Sequence, residues 1–333
     1  MQRDNHKVSV IILTKNSVST VQKSIESIFR QTRKPDEVVV VDGNSSDGTL
    51  DFVKKYAIKL IAEPGLGFGH ARNLGVKNAS GDIVFFLDSD CYAEPNWIEN
   101  ALLSFRSNPE IVGVTGPTHL WNSESGVARF IAHVGGRINM PTKRKFVRIA
   151  PTMNLALKRE VINEIGGFDE TLIRCEDTDL TYKISQTHKI LYDPNVVIWF
   201  KGSPNLHLAS RKCVRHFTAV GQLFAKHGAR SVFVRFNLPF RGFLLIALLL
   251  SIFLLPWYFP TILLSILLAE FIYKSAKLYS RYRDSCVIYY LVFFTYWSLV
   301  SLALFYGLFL GWKNKRRKNQ VTAIRFSALS PRA

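Results

Sequence analysis

The feature that most limits the fold is an alternation of short apolar runs with helical stretches near the start of the chain. Val8 to Leu13, Val38 to Val41 and Ile83 to Leu87 read as buried strands, and Lys59 to Ala62 as a short strand. Between them, Ser19 to Arg30 repeats apolar residues at helical spacing through Val21, Ile25 and Ile28, and helices are expected from Thr49 to Tyr56 and from Gly69 to Lys77. A strand that is apolar at successive positions must be covered on both faces. Such strands separated by helices predict an α/β fold with a mostly parallel sheet. Ligands of these sheets bind beyond the carboxyl ends of the strands, near the point where strand order reverses.

The chain of 333 residues is 48% hydrophobic and 20% charged, which excludes a disordered chain and a small disulfide scaffold. Its net charge of +18 is uneven: residues 1–229 hold 29 basic and 23 acidic side chains, residues 230–333 hold 14 and 2. The same last third contains two charge-free stretches, 28 residues from Gly242 to Ala269 and 27 from Cys286 to Trp312. About 20 helical residues cross a bilayer core, so each stretch is long enough to span one. Basic residues gather at their edges: Arg230, Arg235 and Arg241 before the first, Lys274, Lys277, Arg281 and Arg283 between, Lys313 to Lys318 after the second. This distribution favours anionic headgroups over nucleic acid, for which no recognition motif is present.

Pro256 and Pro260 either kink one span or turn a hairpin, and an even number of crossings keeps the basic tail on the side of the N-terminal domain. MQRDNHKVSVIILT is too short in apolar content for a signal peptide, so the N-terminal domain is expected to stay cytosolic at the cell membrane. Cys91, Cys175, Cys213 and Cys286 are scattered without metal-ligand spacing. Two domains are expected: residues 1–229, ending in an amphipathic helix over 210–228 suited to a membrane surface or to packing on its own domain, and a transmembrane domain over 230–333.

Carboxylates collect at the predicted rim. The strand VVVV ends at Asp42, and IVFFL ends at Asp88, Ser89 and Asp90. An isolated DxD occurs in turns as often as in metal sites, but here it closes a wholly apolar strand. Carboxylate oxygen ligands suit Mg2+ or Mn2+, which also binds substrate phosphates.

VSVIILTKN, VVVDGNSSDGT, GHARNLGVKNASGDIVFFLDSD, MNLALKREVINEIGGFDE and CEDTDL, in that order over roughly residues 7 to 200, resemble glycosyltransferase family 2. The resemblance implies a GT-A Rossmann-like sheet, a nucleoside diphosphate sugar donor and an inverting displacement with a divalent cation. It assigns Thr14, Asn16, Asp42, Asp47, Arg72, Asn73, Asp88, Asn154 and Glu176 to substrate binding, Asp88 and Asp90 to the metal, and Asp177 to the catalytic base. Asp47 fits a helix cap equally well, and Glu176 and Asp179 either assist Asp177 or cap its helix. Gly43 stands where the family often has a second acid after Asp42, which leaves the nucleotide base open. Phe200 and Lys201 stand where many relatives place a metal-binding His, and His207 is displaced from that position.

The expected function is transfer of a sugar to a membrane acceptor, a polyprenyl-linked glycan or polyprenyl phosphate. The absence of QxxRW speaks against a processive synthase. The alternatives are a noncatalytic membrane subunit that binds a nucleotide sugar, and a nucleotidyltransferase.

Overall fold

The computed structural model describes residues 6–134, 140–203 and 205–228, with isolated helical positions between 261 and 313. The chain divides into two compact units, Met1–Ser203 and Pro204–Ala333. In the first, β1 (Val8–Thr14), α1 (Val18–Phe29), β2 (Glu37–Asp42), α2 (Thr49–Val53), β3 (Lys59–Ala62), α3 (Phe68–Asn78) and β4 (Ile83–Asp88) follow in the expected alternation. Next come β5 (Cys91–Ala93), α4 (Trp97–Ser107), β6 (Ile111–Thr115), β7 (Thr118–Leu120), α5 (Gly126–Val134) and β8 (Lys145–Val147). A 3-10 turn at Thr152–Asn154 leads into β9 (Leu155–Lys158), α6 (Arg159–Glu164), α7 (Glu176–Ile184), β10 (Lys189–Tyr192) and β11 (Ile198–Phe200).

An eight-stranded sheet runs in the order β3-β2-β1-β4-β9-β6-β10-β8, and β5-β11-β7 form a smaller sheet. β3, β2, β1 and β4 pair in parallel, as do β6 and β10. β9 runs antiparallel to both β4 and β6, and β8 antiparallel to β10. The expected mostly parallel sheet is therefore a mixed one. Leu155, Ala156 and Leu157 are apolar on both faces like their neighbours, and double-sided burial fixes a strand's coverage without fixing its direction.

Alternate side chains of each central strand enter opposite layers. Val10 and Ile12 pack in one layer with Val21, Ile25 and Ile28 of α1 and Trp97, Ile98 and Leu102 of α4. Ile11, Val39 and Val41 face the other way, in a layer with Ala71 and Val76 of α3 and Leu180 and Ile184 of α7. Phe85 and Trp97 meet edge to face, with ring centroids 5.0 Å apart. Close helix packing on this second face requires Gly75, where a Cβ would lie 2.7 Å from an Ile11 methyl.

The second unit begins with α8 (Leu206–His227), whose first turn is capped by the Asn205 side chain accepting from Leu208 N. Phe217 through Leu223 are all buried, including Thr218 and Gln222, while Arg211, Lys212 and Arg215 are exposed. The expected one-sided stripe therefore understates its packing: the middle of the helix is covered all round. Both charge-free stretches and the flanking basic residues, apart from the isolated helical positions and Lys313, lie outside the described residues. Among the described residues no helix is long and apolar enough to cross a membrane.

Candidate active site at the carboxyl rim

Register brings the first carboxylates together. β1 pairs Thr14 with Asp42 on β2 and Leu13 with Asp88 on β4, so both acids stand at the carboxyl ends of adjacent parallel strands. Strand order reverses here, with β2 on one side of β1 and β4 on the other. Chain neighbours extend the rim: Ser89 shares a 2.8 Å hydrogen bond between hydroxyls with Ser17, and Lys201 N donates to the Asp90 carbonyl over 2.8 Å.

On the β2 side the expected residues are tied to one another. Asp42 is buried, accepts from the Thr14 hydroxyl at 2.7 Å, and receives Ser45 through both its N–H and its hydroxyl. Asn16 adopts a left-handed backbone, φ 48°, a conformation that Asn tolerates better than most side chains. From there its N–H donates to Ser45 Oγ and its Oδ1 accepts from Ser46 N. Asp47 accepts from the N–H groups of Val18 and Thr49, at the starts of α1 and α2. These bonds tie Asp47 to the first turns of two helices whose cap positions are Ser17 and Gly48. The Thr49 hydroxyl, first among its partners, holds its carboxyl below the usual range.

On the β4 side an ion network links segments far apart in sequence. The Arg72 guanidinium, on α3, bonds Glu176 Oε1 through Nη1 and reaches Asp88 Oδ1 at 3.4 Å through Nη2. Arg72 and Glu176 keep only 5% side-chain exposure each. Burial opposes the Arg72 charge, but Glu176, Asp88 and Asp177 together hold it more firmly protonated than usual. Burial pushes the Asp88 and Glu176 carboxyls up, and the attraction of Arg72 does not fully offset this; repulsion from Asp177 adds to both, and from Asp90 to Asp88. Asp88 keeps 36% side-chain exposure, so water still reaches part of its carboxyl.

Asp177 sits in the first turn of α7, where Oδ1 accepts from Thr178 N and Oδ2 from Thr152 N at 3.3 Å. Glu176 and Asp179 share that turn, a placement that the helix dipole favours. Asn73, one residue from Arg72, clamps α3 to the GGFDE loop: Nδ2 donates to the Phe168 carbonyl and Oδ1 accepts from Phe168 N.

Asn154 stands apart from this cleft network. It is 0% exposed, accepts from Trp97 Nε1 at 2.8 Å, and donates to the Pro117 and Val196 carbonyls. Its side chain is committed to joining β6, α4 and the approach to β11. Two further residues of the rim were not singled out from sequence. Glu63 is buried, accepting from Gly65 N, Leu66 N and His70, and its EPG context was the available signal for a tight turn. Arg174 directly precedes CED and adds positive charge beside Asp88 and Glu176.

A divalent cation fits these residues. Glu176 Oε2 is buried without a hydrogen-bond partner, and Asp88, pushed up first by burial, is also repelled by Asp90 and Asp177. Among the described residues no group of three or more His, Cys, Asp or Glu is already arranged around a metal. His207 lies exposed in the first turn of α8, in the second unit.

The mixed sheet with acids at its carboxyl rim defines a GT-A-like α/β fold. Residues 9–166, a little under half of the chain, match the family model described as Glycosyl transferase family 2. Glycosyltransferase AglE of Haloferax volcanii is 28% identical over 202 residues, 55% of this chain and 65% of that protein. The glucosyl-dolichyl phosphate glucuronosyltransferase of the same organism is 30% identical over 179 residues, 49% and 56%. The matched region thus spans between about half and two thirds of these curated relatives. The mannosyltransferase PcManGT from Pyrobaculum calidifontis, solved in complex with GDP-Man and Mn2+, has a TM-score of 0.61 at 18% identity. The match covers 94% of this chain and 89% of that one, and shows a shared fold.

Proposed function

We propose that the chain is an inverting glycosyltransferase that moves a sugar from a nucleoside diphosphate sugar to a lipid-linked acceptor at the cytosolic face of a membrane. The observation that carries this reading is the gathering of Asp88, Glu176 and Asp177 around Arg72, with Asp90 beside Asp88, at the rim of a domain that matches family 2. Asp42, with Thr14 and Asn16, lies on the β2 side where the nucleoside binds, and Asp88 leads toward the diphosphate.

Asp88 and Asp90 would hold a divalent cation, Mg2+ or Mn2+, which when bound neutralises diphosphate charge. Asp177 is the base. It takes the acceptor hydroxyl proton as that oxygen bonds the anomeric carbon, while the bond from this carbon to the β-phosphate oxygen breaks and nucleoside diphosphate leaves. Arg72 acts as a positioning residue whose fork holds Glu176 and Asp88 in place. A polyprenyl-linked acceptor is supported by the relative named for a dolichyl phosphate-linked sugar and by the charge-free stretches 242–269 and 286–312, proposed as membrane spans.

Membranes containing the full chain, given labelled nucleotide sugars, are expected to yield a lipid product and nucleoside diphosphate. Asp177→Asn should lower transfer by about 10²–10⁴-fold, the worth of a positioned base, with donor affinity retained. Release of pyrophosphate would establish a nucleotidyltransferase instead. Full transfer by Asp177→Asn would remove the base assignment.

A further inference from the structure

Outside the carboxylate cluster, the small sheet carries a built aromatic surface that the donor chemistry does not use. β11 pairs Phe200 with Cys91 and Leu120, and these three turn into the core. The alternate row, Tyr92–Trp199–His119, faces the other way. Tyr92 and Trp199 lie nearly parallel, 6° apart with centroids at 6.1 Å, and His119 is 5.1 Å from Trp199. Trp121 joins Tyr92 at 5.6 Å. Lys23 Nζ sits 4.1 Å and 4.0 Å from the Tyr92 and Trp121 centroids, and Lys201 Nζ lies 5.6 Å from Trp121.

We propose that this row binds the sugar of a glycosyl phosphate acceptor, its phosphate drawn to Lys23 and Lys201. The assignment rests on the glycosyltransferase reading and selects a sugar-bearing polyprenyl phosphate over a bare one. Three rings on adjacent strands span roughly 10 Å at ordinary strand spacing, long enough for one or two pyranose rings. Aromatic faces offer C–H groups of a sugar a large, ordered apolar contact.

The row is continuous with the candidate active site. Cys91 follows Asp90 directly, and Lys201 N donates to the Asp90 carbonyl. An acceptor lying on the row therefore has one end close to the DSD segment. Two ammonium groups, Lys23 and Lys201, flank the rings and favour an anion, against the single carboxylate of Glu94, which accepts from Trp199 Nε1. The four rings are half-buried against one another rather than projecting, unlike Leu66 or Phe68. Such packing makes a platform rather than a set of bilayer anchors.

The test uses the full chain in detergent, with UDP-glucose and GDP-mannose among the donors, and glucosyl phosphoryl farnesol and farnesyl phosphate as acceptors. The wild type is expected to show the lower KM with the sugar-bearing acceptor. Trp199→Ala should raise that KM about tenfold, a loss equal to one decade of affinity, with kcat changed far less. Tyr92→Leu, which keeps apolar bulk but removes the ring, should do the same. Unchanged KM in both variants would overturn the proposal. So would loss of binding to phosphatidylglycerol vesicles with KM intact, which would mark a membrane-docking patch. A wild type that binds no nucleotide sugar would instead remove the glycosyltransferase reading, and the assignment with it.

Discussion

Replacing Arg72 by Met tests whether the buried network organises the rim. The side chains of Arg72 and Glu176 are each only 5% exposed, so the substitution leaves a carboxylate without its counterion where water cannot replace it. Breaking a buried pair from one side costs about 3–5 kcal/mol. The Asp88 contact, at 3.4 Å with 36% exposure, adds little because solvent screens it. The deficit must also depend on pH. Asp88 and Glu176 already have raised proton affinities, so the native state binds more protons than the unfolded chain and loses stability as pH rises. Removing Arg72 raises both further. The deficit should therefore be largest near neutral pH and shrink on acidification, as protonation removes the uncompensated charge. Pulse proteolysis in urea at several pH values measures it on the full chain. The double variant Arg72→Met with Glu176→Leu should recover much of the loss, because two apolar side chains of similar volume need no counterion. A deficit below about 1 kcal/mol, or one independent of pH, would refute the claim that this buried pair and its acidic neighbours govern the rim.

Other outcomes follow from single contacts. Asn154→Ala strands Trp97 Nε1 and two carbonyls, and should cost about 3 kcal/mol in urea unfolding, with donor KM unchanged in the folded fraction. Gly69→Ala places a Cβ 2.8 Å from the Asp169 carbonyl and should cost about 1–3 kcal/mol, read as a lower thermal midpoint, by prising α3 from the GGFDE loop. Chelation with EDTA should abolish transfer, and Mn2+ or Mg2+ should restore it; transfer that persists in EDTA would remove the cation from the reading.

Legibility in the sequence tracks how local each signal is. β1, β2 and β4 and the helices between them appear in the sequence because each of these strands is a dense apolar run whose ends meet turn residues, while β3 is a short, partly exposed KLIA segment. β5, β7, β8 and β11 are three residues long and carry too few positions to show a period. The ends of β2 and β4 placed Asp42 and Asp88 at the rim before any pairing was visible, since adjacent parallel strands align their carboxyl ends. The Arg72–Glu176 pair joins residues 104 positions apart, and no local pattern announces it. Asn154 shows the same limit: its MNLALKRE setting marks the residue, but its hydrogen bonds to Trp97, Pro117 and Val196 join segments that no local pattern connects.

The same topology explains why the acids can crowd without unfolding the domain. β1, β2 and β4 fix Asp42 and Asp88 through backbone pairing, which does not depend on side-chain charge. α7 is anchored by Leu180 and Ile184 in the second apolar layer, so its acidic first turn is held at the rim by burial elsewhere along the helix. Arg72 is delivered by α3, whose Ala71 and Val76 share that layer. Repulsion among the carboxylates is thus opposed by packing rather than relieved by rearrangement. A site built this way keeps an unmet demand for positive charge, and it is this retained imbalance, more than any single acid, that suits the rim to a cation and a diphosphate.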